Sequence, residues 1–296
     1  MKECLREIVE NANKGTPNFP SWLQNKRKEA AQALDNIELP SVKDERWKYT
    51  NLGKLRQVPF RQSLKKDGNQ LAEKDFSHLS NTTIYENRMV FVNGIIREDL
   101  SFTDEKTRSM NIKRFGKIKE HDVGLLEDAL KNDNCRRFIT LNNAAFDDGL
   151  FIQIDNAFQE EVTLLLQFIG ATDSPILRAP RIVISAKKNA KFTLIEEFVS
   201  CGDDNGLTNA VSQIFAEEGA SVKYHRVQEE AKTTTHIGNV CAHLEKDAEL
   251  HCNSIVFGSN LTRVDIDVEL KGKKATCHLN GLYVGHSTQH VDHHTT

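Results

Sequence analysis

The chain has 296 residues, 27% of them charged and 39% apolar, with a net charge of −3. That length can bury the core of one or two domains, and that balance is ordinary for a soluble globular protein. It excludes a global electrostatic attraction to nucleic acid. No run approaches the ~20 apolar residues that span a bilayer, and the longest, Val162–Gly170, is far too short. The N-terminus MKECLREIVENANK has no apolar segment of the secretory type. Six cysteines (Cys4, Cys135, Cys201, Cys241, Cys252, Cys277) show neither CxxC nor a framework spacing, which points to free thiols in a reducing cytoplasm.

In chain order, Leu5, Ile8 and Val9 have helical spacing, and Gly15-Thr-Pro17 ends that first helix. A second helix is expected from Pro20-Ser21, with Trp22, Leu23, Ala30, Ala33 and Leu34 as its apolar positions, ending before Pro40. The next segment, Pro40-SVKDERWKYTNL, sets Trp47 and Tyr49 among charges, and the plainer role for both is to anchor it against the domain. Residues 53–80 are polar and suggest a linker or poorly packed loop. Asn93-Gly94 between two apolar runs is a strong hairpin signal over 89–97. His121-DVGLLEDALK suggests a short helix, the stretch from Phe138 to Phe151 is ambiguous, and 151–170 forms a first, irregular coil. The expected organisation is a helical region at 1–50, a linker and mixed α/β segment at 51–147, and a β-helix core from 148 to 296.

That core repeats. Aligned on Ala190, Ala220, Ala248 and Ala275, each alanine follows a polar corner (KKN, EEG, EKD, GKK) and precedes a strand-like run. A period of 27 to 30 residues without a helix is a solenoid signature. Strand side chains alternate in direction. Two and four residues beyond each alanine, Phe192, Val222, Leu250, Cys277 and Leu194, Tyr224, Cys252, Leu279 should face a shared interior. Three and five beyond, Thr193, Lys223, His251, His278 and Ile195, His225, Asn253, Asn280 should face mostly outward. The small residue is expected where the backbone turns tightly. The loop at Cys201-GDDNG is expected to leave the coil wall.

Few residues suggest chemistry. His286, His290, His293 and His294 with Asp292 contain good metal ligands, but without a clean ligand spacing. His251 and His278 should stack one coil apart, as a solvated ladder or a partner contact. Inward cysteines at 252 and 277 should behave as small apolar residues with protonated thiols. No GxSxG, HExxH or Walker phosphate loop is present.

Pro40-SVKDERWKYTNL, Val90-FVNG, Ala190-KFTLIEEFVS and Gly281-LYVGHSTQHVDHHT together resemble the SufB/SufD family, SufD more closely, in the family's order across nearly the whole chain. The resemblance implies a right-handed parallel β-helix with helical regions at both ends, and a non-catalytic scaffold role in iron–sulfur cluster assembly. It implies pairing with a SufB-like subunit through the β-helices, a SufC-like ATPase partner, and a transient cluster held by the complex, with no cofactor or metal on this chain alone. No catalytic, cofactor-binding or metal residue carries over, because the family's cluster-associated cysteine and histidine, and the segment that grips SufC, lie beyond Thr296. A truncated chain is expected, lacking the C-terminal helical region, with weak or absent SufC binding. The alternative is a carbohydrate-active β-helix enzyme, such as a polysaccharide lyase or hydrolase, with Asp265 and Asp267 on one strand face as its acids.

Overall fold

A computed structural model describes residues 10, 19–35, 38–63, 65–68, 71–76, 87–108, 110–118, 123–131, 137–146, 148–155 and 162–296. The first helix expected from the sequence lies almost wholly outside these residues. Strands dominate: β1 (Arg61–Gln62), β2 (Arg88–Val92), β3 (Ile95–Phe102), β4 (Asn111–Arg114), β5 (Gly149–Ile154), β6 (Val162–Gly170), β7 (Ile176–Arg178) and β8 (Arg181–Ala186). They continue with β9 (Lys191–Ser200), β10 (Leu207–Ala216), β11 (Ser221–Glu229), β12 (Thr235–Leu244), β13 (Glu249–Val256), β14 (Leu261–Leu270), β15 (Thr276–Tyr283) and β16 (His290–Thr295). From β5 onward the strands, apart from the short β7 added to the first wall, alternate between two walls of a β-helix of about five turns. The first wall runs β16-β14-β12-β10-β8-β5-β4 and the second β15-β13-β11-β9-β6-β2-β3. Neighbouring strands are parallel except in the pairs β2/β3 and β4/β5.

The register is the one the alanine count gives: Phe192, Val222, Leu250 and Cys277 are cross-strand neighbours, as are Leu194, Tyr224, Cys252 and Leu279. Both sets join the apolar interior except Leu279, which is 38% exposed on the last rung. The alanines are interior residues too, and the tight backbone falls one residue earlier. Asn189, Gly219, Asp247 and Lys274 adopt φ of 60°, 71°, 55° and 61°, a left-handed stack that reverses the chain at each corner.

The hairpin forms where expected, with Asn93 and Gly94 both at positive φ, the geometry of a two-residue hairpin turn. Its strand β2 pairs in parallel with β6 and so extends the second wall. The strands of the first coil, β5 and β6, pair in register with β8 and β9, and the irregularity expected there falls on its corner, whose residues 156–161 lie outside the described residues. Nor is 53–80 a poorly packed loop over its described residues. Leu55 and Phe60 are buried, Asp67 is buried in a two-oxygen pair with Arg61, and β1 pairs with β7.

Helices cover the outside of the first wall. Helix α1 (Ser21–Asp35) packs on α3 (Arg137–Ala145), with α2 (Val123–Ala129) beside them. Leu23, Ala30, Ala31 and Leu34 form the buried stripe of α1, and Arg27 lies in that stripe. Its guanidinium donates to the Ala144 carbonyl, an orphan acceptor at the end of α3, between the rings of Phe19 and Phe146. Asn142 of α3 donates to the carbonyls of Pro180 and Asn209, which fixes that helix on the first wall. The residues that the sequence left ambiguous are thus helix α3 followed by β5.

Candidate functional site

The aspartates of the carbohydrate reading are structural. Arg263 is fully buried and grips Asp265 with Nε and Nη2 at 3.0 and 2.7 Å. Asp267 pairs with Arg46 at 3.4 Å. The 41–52 segment roofs this face: Trp47 lies 3.9 Å over the Arg263 guanidinium and 5.4 Å from the Phe138 ring. Trp47 is an anchor, as expected, but Tyr49 is 77% exposed beside Lys48 and anchors nothing. The C-terminal histidines do not converge. His290 contacts Thr50, His293 lies 3.2 Å from Ser254 Oγ, and Asp292 accepts from Thr50 and from Arg263 Nη1.

Inside the β-helix, the ends near the alanine corners are apolar, whereas the opposite corner is polar and closed. The loop after β9 turns back inward at Asp204, which is fully buried, while Gly202, Asp203 and Asn205 stay exposed. Its carboxylate accepts from Arg178 Nη1 with both oxygens (2.9 and 2.7 Å), from Ser200 and Thr234, and from the Gly206 N–H. Gly170 and Gly206 make this possible, since a Cβ on Gly206 would stand 2.6 Å from Arg178 Cζ. One coil on, Glu230 accepts from Thr208 (2.6 Å), Gln228 (2.9 Å) and His236 Nδ1 (2.5 Å). His236 Nε2 faces Arg226, whose guanidinium lies 4.8 Å over the Phe198 ring. Glu196 accepts from Ser212 and Tyr224, each at 2.6 Å.

Burial holds the His236 imidazole neutral, with its pKa down to about 4 despite the raising effect of Glu230. Burial pushes the Glu230 carboxyl up, but His236, Arg178 and the hydroxyl of Thr208 outweigh it and bring the pKa to about 2. So at neutral pH Nδ1–H donates to an ionised carboxylate, and Nε2 is free to accept from Arg226. Both folded values lie below the ordinary ones, so the unfolded chain binds the extra protons. The stabilisation is complete above the ordinary 6.5 of histidine and 4.5 of glutamate, and is lost as pH falls through about 4 and about 2. Between pH 7 and pH 4 the His236 step is expected to lower stability by on the order of 2–3 kcal/mol. His236→Gln should flatten that part of the curve, measured as urea midpoints across the range; a variant as acid-sensitive as the parent would contradict the assignment.

Two of these residues, Glu196 and Arg226, are legible in retrospect. Counting six beyond each alanine, one step further along the interior face, gives Glu196, Arg226, Ser254 and Gly281. Polar groups at two successive interior positions are the signal. The inward cysteine of the same region is quiet: burial pushes the Cys252 thiol up to about 12, so at neutral pH it is a protonated packing residue. Cys277, half-buried, is also shifted upward by desolvation.

Outside, the second wall carries the predicted ladders. His251 and His278 stack with ring centroids 4.6 Å apart and planes 9° from parallel. Beside them runs a hydrogen-bonded column, His225 to Asn253 to Asn280, with both contacts at 2.9 Å.

The fold is a parallel β-helix with a polar inner corner and a first wall roofed by the 41–52 segment. The chain belongs to the SufBD family of iron–sulfur cluster assembly proteins: residues 10–166 match the SufBD protein N-terminal region, and residues 168–296 match the SufBD core domain of the SUF system of FeS cluster assembly. It is 25% identical over 287 residues to an iron–sulfur cluster assembly SufBD family protein of Synechocystis, covering 93% of this chain and 63% of that one. It is 26% identical over 274 residues to the iron–sulfur cluster assembly protein SufD of Escherichia coli, covering 90% and 60%. To the chloroplastic protein ABCI7 of Arabidopsis thaliana it is 20% identical, covering 98% and 62%. The chain thus spans about three-fifths of the length of these relatives. Among the described residues no helix is long and apolar enough to cross a membrane.

Proposed function

We propose that this chain is a SufD-like scaffold subunit of a cytoplasmic SufBCD-type complex, with the iron–sulfur cluster as cargo rather than as a resident cofactor. Its own residues perform no catalysis. The β-helix pairs with that of a SufB-like subunit, and ATP hydrolysis belongs to a SufC-like partner. The observation that carries this reading is that the two SufBD domains follow one another along the chain from residue 10 to residue 296. The structure adds support from its rigidity. The coils between Arg178 and His236 are tied by buried polar contacts at one corner and by apolar packing at the other, so a force on one wall passes along that part of the solenoid. Such coupling suits a subunit that relays ATP-driven motion.

The test is co-purification of residues 1–296 with cognate SufB-like and SufC-like subunits, with iron and sulfide assayed on what elutes. A stable complex with the SufB-like subunit is expected. Failure to associate with either subunit would overturn the reading.

A further inference from the structure

We propose a binding site for a divalent first-row transition-metal ion, ferrous iron or zinc, formed by Glu249, His251 and His278 on the outer face of the second wall. It is separate from the buried interior and from the 41–52 roof, and it does not depend on any partner subunit.

The strand geometry builds the site. Glu249 and His251 are two residues apart on β13 and so share a face. His278 is the parallel cross-strand partner of His251 on β15. His251 Nε2 lies 2.8 Å from Glu249 Oε1, and His278 Nε2 lies 3.9 Å from the same oxygen. One donor atom from each residue falls within 4.8 Å of the other two. Donors around a four-coordinate ion with bonds of about 2.0–2.1 Å stand about 3.4 Å apart. Closing that gap takes a small rotation of the imidazoles about their side-chain bonds, with the backbone held by the β13/β15 ladder. The carboxylate already lies against both ring nitrogens. On the other side of His251 the outward ladder continues with Lys223, whose cation disfavours a metal there and confines the ion to the interval between His251 and His278.

The donor set selects the ion. Two imidazoles and one carboxylate suit iron, zinc, cobalt or nickel, whereas magnesium and calcium prefer oxygen donors throughout. Three protein ligands leave coordination positions open, and the side chains are 36%, 57% and 40% exposed for His251, His278 and Glu249. An open, solvent-facing site of this kind holds an exchangeable ion rather than a structural one.

Cobalt(II) serves as the spectroscopic probe. Titrated into tag-free residues 1–296, it should produce one equivalent of a visible d–d band of a low-coordinate centre, displaced by zinc and not by excess magnesium. The double variant His251→Ala/His278→Ala should weaken that equivalent at least tenfold, and Glu249→Gln should weaken it by a smaller factor. Unchanged circular dichroism would show that the variants fold. A parallel variant, His286→Ala/His290→Ala, should leave the band intact. Absence of binding, or binding untouched by the double variant at 251 and 278, would overturn the proposal. The titration uses the isolated chain, so its outcome is separate from that of the co-purification.

Discussion

Asp204→Ala is expected to lower the free energy of unfolding by about 3–5 kcal/mol, the range for breaking a buried ion pair by removing one partner. The Arg178 and Asp204 side chains are 4% and 0% exposed, so no solvent reaches the guanidinium left behind. Glu230 is its nearest other anion, at 3.8 Å, and that carboxylate is already occupied by Thr208, Gln228 and His236. The loss extends beyond charge, because Ser200 and the Gly206 N–H both lose an acceptor in a closed space, while Thr234 keeps the Asp204 carbonyl. Asp204→Asn should cost less, since an amide oxygen still accepts, but it cannot neutralise Arg178. Arg178→Met with Asp204→Leu should recover part of the loss, as paired apolar replacements of buried ion pairs do. Urea unfolding of the four proteins measures this. A single Asp204→Ala variant within 1 kcal/mol of the parent would mean that water enters this corner and solvates the arginine.

The reason this corner escaped prediction is instructive beside what did not. The solenoid was legible because its repeat is written twice over, in the spacing of the alanines and in the alternation that follows each one. Stacking puts equivalent residues in contact, so the pairing of His251 with His278 follows from counting alone. The sequence Cys201-GDDNG, by contrast, has the composition of an exposed turn. Only the position of Arg178, brought alongside by the previous coil, explains why Asp204 turns inward. Local composition reports what a segment can tolerate, and a buried charge depends on a partner that local composition does not name. The same limit applies to the corners. Their requirement for positive φ is met by Asn, Gly, Asp and Lys at 189, 219, 247 and 274, and the lysine in that set hides the signal that Asn, Asp and Gly would otherwise carry. The misreading of 53–80 has a related cause: Leu55, Val58 and Phe60 form no helix or strand period in a polar stretch, and they pack against helices and strands far away in sequence.

Arg263→Ala is expected to be comparably severe, costing about 3–5 kcal/mol, and to act on a different part of the molecule. Arg263 is the point at which three segments meet. It pairs with Asp265 on its own strand, donates to Asp292 of β16 at 2.6 Å, and lies under the Trp47 ring of the 41–52 segment. Thr50 of that segment bonds His290 and Asp292, and Arg46 reaches Asp267 and Thr296. Removing the guanidinium leaves the part-buried carboxylates of Asp265 and Asp292 without their shared cation, and takes away the surface on which Trp47 rests. Arg263→Lys should rescue little, because an ammonium cannot satisfy two carboxylates through a planar fork while stacking on an indole. The local consequence is separable from the global one. With Trp22 replaced by Phe, the remaining Trp47 reports the roof directly, and Arg263→Ala should shift its fluorescence toward the red in native buffer, before any unfolding. An unshifted spectrum in a destabilised variant would show that the roof holds without Arg263, through Phe138 against Trp47 and the Arg137–Asp44 pair at 3.2 Å, and that the arginine serves the strands alone.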